Sequence, residues 1–376
     1  MSSTESKPKK YPFWAPRFWH GMLFSDWVKL AAENRFRCHP FRLGLVGTVT
    51  QATVFNSALK WASQTLYRRR VAETQLIDDP VFIVGHWRSG TTYLHELMSC
   101  DDRFASPTSY QCFAANHFLL SERIVPKFLW FLMPSKRPMD NVKFGWNVPQ
   151  EDEFALCSMG VPSPYLRMAF PNEPNRYLDY LDLADIPSEE LDAWKAAFLD
   201  FLKALTLHTG KRLILKSPTH TARIGLLSQM FPRAKFLHIV RDPLAVYPST
   251  IRLWKVLDEA QSLQIPNHEG LEQYVLDAFQ RMYGSFEQGR EQLQPGQIYD
   301  LHYEQLVEDP VRELRKAYEH LKLNDFDSVT PKLEAFAGRK REYRTNRYQL
   351  SPNSEQKILQ NWGDFATRYG YTTQDR

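Results

Sequence analysis

The stretch GHWRSGTT, residues 85–92, decides the fold of this chain. It follows the apolar run PVFIV at residues 80–84 and precedes Leu94, Leu97 and Met98 at helical spacing. This pattern predicts a buried strand, a turn bounded by glycines, and the first turn of a helix. Backbone N–H groups at such a turn surround one point, where they and the helix dipole favour a bound phosphate.

The spacing within this stretch is that of the phosphate-binding P-loop motif, G-x-x-x-x-G-K-[ST], with one change. Thr91 stands where the motif has lysine, and the positive charge lies inside the loop instead, at Arg88. We therefore expect the loop to bind phosphate. We expect its cation to face a transferred group other than the phosphoryl group that a P-loop lysine contacts.

Composition limits the class of protein. The chain has 376 residues, of which 43% are hydrophobic and 24% charged, and its net charge is +4. A mildly basic globular protein suits anionic ligands but carries no signature of nucleic-acid binding. No secretory signal or apolar run of about 20 residues is visible, and the four cysteines are scattered, without metal-ligand spacing. These features predict a cytoplasmic protein that has no structural metal and binds no nucleic acid.

The chain divides into regions of different pattern. We expect a disordered tail at residues 1–10, a helical extension at 11–76, a core at 77–325 and a C-terminal segment at 326–376. Within the core, strands at 212–215, 235–240 and 297–303 alternate with helices near 188–209, 221–230, 271–292 and 311–321. The irregular stretch at 101–175, rich in proline and aromatic residues, is predicted to build a substrate site.

This alternation predicts an α/β fold with three layers, in which helices flank a central parallel sheet. Ligands of such sheets bind beyond the carboxyl ends of the strands. Gly85, Lys216, Arg241 and Tyr303 all lie at or just past predicted strand ends. We therefore expect these four residues to converge on one edge of the sheet.

A second anion-binding element follows the strand at 235–240. It reads RDPLAVYPS at residues 241–249, so that Arg241 leaves the strand and Ser249 lies about two helical turns later. An arginine fork and a hydroxyl suit a phosphate, separate from the one at the first loop. Together the two elements indicate a nucleotide that is phosphorylated at two positions.

With these elements the chain resembles the superfamily of sulfotransferases that use 3′-phosphoadenosine 5′-phosphosulfate (PAPS). The residues of its motifs also resemble those of the bacterial branch of that superfamily. The resemblance covers about residues 81–310. It implies a P-loop-like fold, a single sulfotransferase domain at 11–376, and a PAPS site with no metal. Arg241 and Ser249 would hold the 3′-phosphate, and Tyr303, in the run YEQLVEDP at 303–310, would lie near the nucleotide. The 5′-phosphosulfate would be held by Arg88, Ser89, Gly90, Thr91 and Thr92.

The implied reaction is the transfer of a sulfuryl group from PAPS to a hydroxyl, giving an O-sulfate. Charge spreads over the equatorial oxygens while the attacking and leaving oxygens stay in line. The protein must therefore position both substrates and stabilise developing negative charge. Arg88 is predicted to contact the bridging or leaving oxygen.

Two parts of the sequence offer a base that could accept the proton of the hydroxyl. His220 lies near the histidine position of the cytosolic branch, displaced by two residues, and a histidine suits proton transfer near neutral pH. The acidic run at 151–153 offers Glu151 and Glu153, since other branches use a glutamate. Lys216 at its strand end is either a ligand of the sulfonate or a solvated lysine.

Two other functions are considered. One is a P-loop kinase or NTPase, which Thr91 in the lysine position disfavours, and the other is a non-catalytic nucleotide-binding protein of the same fold. The acceptor is open among lipid, phenolic and glycan alcohols. The aromatic stretch at 11–27 is either packed on the core, which we favour, or laid on a membrane surface. The sequence also leaves the oligomeric state open. The basic run GRKR at 338–341 either covers the 3′-phosphate or forms a solvated turn.

Overall fold

Five parallel strands form the centre of the structure, a computed structural model that describes residues 11, 15–129, 145–174, 177–340 and 350–371. The strands are β1 Val81–Val84, β2 Phe104–Ala105, β3 Arg212–Lys216, β4 Lys235–Val240 and β5 Ile298–His302. Their order across the sheet is β2-β3-β1-β4-β5, and all four neighbouring pairs are parallel. The predicted parallel sheet is confirmed.

Helices connect the strands and cover both faces of the sheet. The described α-helices are α1 Phe24–Glu33, α2 Leu43–Glu73, α3 Thr91–Met98, α4 Ser109–Phe113, α5 Phe118–Ser121, α6 Val125–Phe128, α7 Glu153–Ser158, α8 Ser188–Thr209, α9 Ile224–Met230, α10 Pro243–Gln261, α11 Leu271–Arg290, α12 Tyr303–Glu308, α13 Pro310–Leu321, α14 Phe326–Lys340 and α15 Pro352–Arg368. Short 3-10 helices occupy Phe18–Gly21, Pro40–Arg42, Pro164–Ala169, Leu178–Tyr180 and Pro218–Thr221.

The side chains of β1 show why the fold has three layers. Successive residues of a strand point to opposite faces, and all four residues of β1 are fully buried. Phe82 and Val84 belong to a core that contains aromatic residues of α8, α10, α11 and α15. Val81 and Ile83 belong to a second core with residues of α3, α13 and α14. Both faces are therefore covered by helices, as predicted.

The N-terminal extension forms two helices. The helical extension expected at 11–76 is interrupted between α1 and α2, where Arg35 and Phe36 adopt φ values of 54° and 53° after the end of the first helix. Trp19 and Trp27 are buried, so this part of the aromatic stretch packs on the core. Among the described helices, none has both the length and the apolar character needed to cross a bilayer.

The structure differs from two expectations about irregular parts of the chain. The stretch at 101–175 contains the edge strand β2 and the helices α4 to α7, because elements this short leave no periodic pattern in a sequence. Of the basic run at 338–341, the first three residues lie in α14, so they form no turn, and Arg341 lies outside the described residues. The tail expected at 1–10 also lies outside them, and the division of the chain into regions stays a prediction.

Candidate active site

The loop at 85–92 is held in shape by its own contacts with the sheet. Gly85 has φ +148° and donates its N–H to the hydroxyl of Thr221 at 2.7 Å. A Cβ at Gly85 would lie 2.5 Å from the carbonyl oxygen of Ile239, in β4. Ser89 is buried and donates from its hydroxyl to the carbonyl of His86 at 2.8 Å. The loop therefore enters α3 with a defined backbone, and Thr91 and Thr92 form the first helical turn.

Tyr303 packs directly against the second glycine of the loop. Gly90 has φ +107°, and a Cβ on it would lie 2.3 Å from Cδ2 of the Tyr303 ring. Tyr303 begins α12 at the end of β5, and the guanidinium of Arg241 lies 4.4 Å from the centre of its ring. Arg241 also donates to the carbonyl oxygen of Arg88 at 3.0 Å. The structure thus brings the loop, the end of β4 and the end of β5 together.

Arg88 joins the two predicted anion-binding elements. Its Nε donates to the hydroxyl of Ser249, in α10, at 2.9 Å, so the two elements are directly bonded. Arg88 has φ +70°, a left-handed conformation that costs energy in residues other than glycine and recurs at functional sites. Asp242 caps the N-terminus of α10 by accepting from the N–H of Leu244 at 2.9 Å, with Pro243 in the first helical position. That cap explains the Arg-Asp-Pro sequence without a metal.

Glu151 is the centre of a hydrogen-bonded chain that begins in the same loop. Lys216, the last residue of β3, donates to its Oε1 at 2.7 Å, and the hydroxyl of Tyr165 donates to its Oε2 at 2.6 Å. The indole of Trp87 in turn donates to the Tyr165 oxygen at 2.8 Å. Burial and the adjacent Glu151 carboxylate raise the pKa of Tyr165 well above its usual value, so the phenol keeps its proton. These contacts hold Glu151 in one position.

His220 is buried away from solvent. Its Nε2 lies 2.5 Å from Oδ2 of Asp152, and both side chains are fully buried. Its ring packs edge-on against Phe82 in β1 and beside Phe198 in α8. Burial alone would raise the pKa of Asp152, but the adjacent His220 and its hydrogen bond outweigh burial and lower that pKa. This pair is part of the core beneath the loop.

Glu153 forms a second buried pair. Nη1 of Arg223 lies 2.6 Å from its Oε2, and Nη2 lies 3.1 Å from its Oε1, in a bidentate arrangement. The hydroxyl of Thr219 also donates to Oε2 at 2.8 Å. Burial raises the pKa of Glu153, but the guanidinium of Arg223 outweighs it, so the pKa lies below its ordinary value. The pair ties the start of α7 to the segment between β3 and α9.

A pocket opens between the loop and the irregular segment. Its volume is about 1230 Å³ when the space open to solvent is counted. Arg88, Thr91, Thr92 and Glu151 lie on its wall, whereas His220 and Glu153 are not among the residues that line it. Most of the rest of the wall is apolar or aromatic, and it includes Phe18, Trp87, Phe113, Trp146, Phe154, Tyr165, Met168, Leu253 and Leu257.

The family of the chain follows from comparison with known proteins. The profile described as "Sulfotransferase family" matches residues 80–328, which contain the loop, Glu151, Arg241, Ser249 and Tyr303. The chain belongs to the sulfotransferase family. Sulfuryl transfer, rather than the phosphoryl transfer of a kinase, is therefore its reaction class.

Curated relatives and solved structures agree with this membership. The chain is 43% identical over 368 residues to omega-hydroxy-beta-dihydromenaquinone-9 sulfotransferase Stf3 of Mycobacterium bovis and of Mycobacterium tuberculosis, covering 98% of this chain and 95% of each relative. Its fold is similar to sulfotransferase STF9 from Mycobacterium avium, with a TM-score of 0.67, 18% identity, and coverage of 88% and 86% of the two chains. It is also similar to sulfotransferase STF1 from Mycobacterium tuberculosis, with a TM-score of 0.61, 17% identity and coverage of 90% and 87%.

Two parts of this sulfotransferase site left no signal in the sequence. Tyr165 and Trp87 support Glu151, but Tyr165 stands in no motif, and Trp87 occupies a position at which the loop motif accepts any residue. Phe18 comes from the N-terminal extension and stacks on Phe154 in α7, with ring centres 3.9 Å apart. Such contacts join residues far apart in the chain, and one sequence holds no pattern that pairs them.

Cysteines and side chains that could hold a metal ion are considered next, over the part of the chain that the structure describes. All four cysteines lie in the described part of the chain and are free thiols. Over the described ranges, no group of three or more His, Cys, Asp or Glu side chains is arranged to hold a metal ion.

Proposed function

We propose that this sulfotransferase moves the sulfuryl group of PAPS to the hydroxyl of an apolar, lipid-like alcohol. One observation carries the proposal. Arg88 of the loop and Glu151 of the irregular segment lie on the wall of one pocket, and the remainder of that wall is largely apolar. A donor held by the loop and an acceptor held by the apolar wall would therefore meet between these two side chains.

The donor side rests on the loop and the residues bonded to it. Backbone N–H groups at the start of α3, with the hydroxyls of Thr91 and Thr92, suit the 5′-phosphosulfate. Arg241 and Ser249 suit a second phosphate, and the ring of Tyr303 fixes the guanidinium of Arg241. We assign PAPS as the donor because it carries phosphates at two positions of one nucleotide.

The acceptor side rests on the chemistry of the pocket wall. Stf3, to which the chain is 43% identical, is named for an omega-hydroxylated dihydromenaquinone, which is a hydroxyl on a long apolar molecule. The wall here favours the same class, since burial of apolar surface drives the binding of such a molecule. A glycan is a poorer fit, because most of the residues on this wall are apolar or aromatic.

Glu151 is the base that we propose for the reaction. The acceptor oxygen forms a bond to sulfur while the bond from sulfur to the bridging phosphate oxygen breaks. The acceptor proton passes to Glu151, and the leaving phosphate keeps the electron pair of the broken bond. Lys216 and Tyr165 orient the carboxylate, and Arg88 stabilises charge that develops on the leaving oxygen.

We also propose that residues 11–376 act as one domain in the cytoplasm. Support comes from both ends of the chain, because Phe18 reaches the pocket and Trp362 of α15 stacks on Phe279 of α11 at 3.8 Å. Four free thiols suit a reducing compartment.

Binding and transfer are tested separately. In calorimetric titration we expect tight binding of adenosine 3′,5′-bisphosphate and weak binding of ATP. In an assay with labelled PAPS we expect sulfation of a hydroxylated isoprenoid quinone, and little of a simple phenol or an oligosaccharide. Equal affinity for ATP would contradict the donor assignment, and preferential sulfation of the sugar or the phenol would contradict the acceptor assignment.

A further inference from the structure

Helix α2 buries mainly polar side chains and exposes several large apolar ones. Its buried positions are Val49, Thr53, Asn56 and Ser63, three of which are polar. Its exposed positions include large apolar side chains at Val54, Phe55, Trp61 and Leu66, which are 53%, 56%, 73% and 60% exposed. A helix at a water-facing surface normally shows the opposite arrangement.

The inner face of α2 is fixed by hydrogen bonds. Nδ2 of Asn56 donates to the carbonyl oxygens of His20 and Met22 at 2.7 and 3.0 Å. The indole of Trp27 donates to the hydroxyl of Thr50 at 3.0 Å. These bonds hold the polar face against the N-terminal segment, so the apolar face points outward in the folded protein.

Exposed apolar side chains also occur just before and at the start of α2. Phe41, in the preceding 3-10 helix, and Leu43, the first residue of α2, are 89% and 59% exposed. Residues 43–59 contain no charged side chain at all. Several large apolar side chains exposed along one helix can mark a place where a protein meets another molecule or a membrane.

Charge around this face is strongly positive. Residues 24–74 contain eight basic and three acidic residues, a formal charge of +5, whereas the whole chain has +4. The basic residues lie at the two ends of the uncharged stretch, with Arg42 before it and Lys60, Arg68, Arg69 and Arg70 after it. The arrangement of an apolar band with basic ends matches a helix that lies in the plane of an anionic lipid surface.

We propose that α2 docks this protein on an anionic membrane, with its apolar face in the lipid headgroup region. A second copy of the chain is a poor occupant, because pairing two α2 helices would bring positive regions together. Docking would also set the pocket near the membrane, since α2 bonds to the segment that follows Phe18 in the pocket wall. Docking through α2 is expected whether or not the acceptor is a lipid.

The test is flotation of the full-length protein with lipid vesicles, without donor or acceptor. We expect binding to phosphatidylcholine vesicles that contain phosphatidylglycerol, weaker binding to phosphatidylcholine alone, and weakening by salt. Substituting Val54→Ser, Phe55→Ser and Trp61→Ser together should reduce the partition coefficient by about tenfold or more. Substituting Arg68→Gln and Arg70→Gln should reduce it by about fivefold per charge on the anionic vesicles alone.

A matched control replaces three aliphatic residues that are exposed elsewhere, Ile77→Ser, Ile265→Ser and Val307→Ser, and should bind as the wild type does. Turnover of a short, water-soluble acceptor should be the same in all of these proteins, which separates docking from the proposed reaction. The proposal is overturned if the wild type binds neither vesicle, or if the triple α2 variant binds as well as the control. It is also overturned if sedimentation shows a wild-type dimer that the α2 variant converts to a monomer.

Discussion

Arg88 connects the two elements that are predicted to bind anions. It donates to Ser249, accepts from Arg241 through its carbonyl oxygen, and lines the pocket. Its left-handed backbone conformation is maintained by these contacts, and the neighbouring glycines allow the loop to turn around it. Such a preorganised cation is suited to stabilising charge on a leaving oxygen, because it needs little reorganisation during the reaction.

Replacement of Arg88 tests this role. For Arg88→Ala we expect kcat to fall by about 10²–10³-fold, the usual effect of removing one charge-stabilising donor. Binding of adenosine 3′,5′-bisphosphate should remain measurable by titration, because the backbone of the loop and Arg241 are unchanged. As a control, Ser249→Ala removes the hydrogen bond but keeps the cation, and should raise the KM for the donor more than it lowers kcat. Near-normal turnover of Arg88→Ala would contradict the role.

The three acidic side chains at 151–153 differ in what surrounds them. Asp152 and Glu153 are fully buried with His220 and Arg223, whereas Glu151 is 14% exposed and lies on the pocket wall. A base must reach the proton that it accepts, so position favours Glu151.

The variant Glu151→Gln keeps the shape of the side chain but cannot accept a proton. We expect kcat to fall by about 10²–10⁴-fold, with little change in the KM for the donor, and the acidic limb of the pH–rate profile to disappear. His220→Gln is the matched comparison and should retain that limb. If instead Glu151→Gln stays active and His220→Gln loses the limb, His220 is the base.

At the scale of elements, the residues of the candidate site lie at the ends of the strands. The carboxyl ends of β1, β3, β4 and β5 supply the loop, Lys216, Arg241 and Tyr303, and parallel pairing places those ends on one edge. Close packing between them leaves no space at Gly90, where the ring of Tyr303 occupies the position of a side chain. Glycine is required there both by φ and by this contact.

Gly90→Ala tests this packing. The added methyl would lie 2.3 Å from the Tyr303 ring, so the ring or the helix start must shift. We expect a loss of about 1–3 kcal/mol in the free energy of unfolding and at least about tenfold weaker nucleotide binding. In a Tyr303→Ala background the same substitution should cost less, because the ring that it meets is gone, and a double-mutant cycle measures that difference. The control Gly284→Ala, in α11 with open space around it, should be neutral or stabilising by about 0.5–1 kcal/mol.

At the scale of the whole molecule, burial of ionisable groups makes stability depend on pH. His86 is 1% exposed, and burial lowers its pKa from 6.5 to about 3. Between these values the unfolded chain takes up a proton that the folded protein excludes. Acidification from pH 6.5 toward pH 3 therefore favours unfolding, and the full stability is present above pH 6.5.

The contribution of His86 can be measured by urea denaturation at two pH values. Moving from about pH 7.5 to about pH 5 should cost the wild type roughly 2 kcal/mol through this residue. His86→Asn replaces the ring donor to the carbonyl of Trp87 with an amide that does not titrate. Its loss of stability over the same interval should be smaller by about that amount. An unchanged pH dependence would contradict the lowered pKa, since it would show that His86 takes up a proton as readily in the folded protein as in the unfolded chain.

Much of the fold was predictable because its signals are local. A buried strand, the glycines of the loop and the start of α3 stand within about twenty residues of each other, and the strands at 81–84 and 235–240 are apolar enough to be recognised alone. Caps such as Asp242 with Pro243 mark helix starts in the same local way. The two-residue strand β2 was missed because nothing so short has a period.

By itself the sequence determined the parallel sheet and the positions of the loop, Arg241 and Ser249 at or after strand ends, since those signals are local. Phosphate binding at these positions stays a prediction. Only the tertiary structure decided which acidic residue faces the pocket. Glu151, Asp152 and Glu153 are consecutive, yet their partners Lys216, His220 and Arg223 lie 65, 68 and 70 residues away. Each ion pair or hydrogen bond forms when α7 packs on the end of β3, so burial and charge at these positions depend on contacts that the local sequence does not contain.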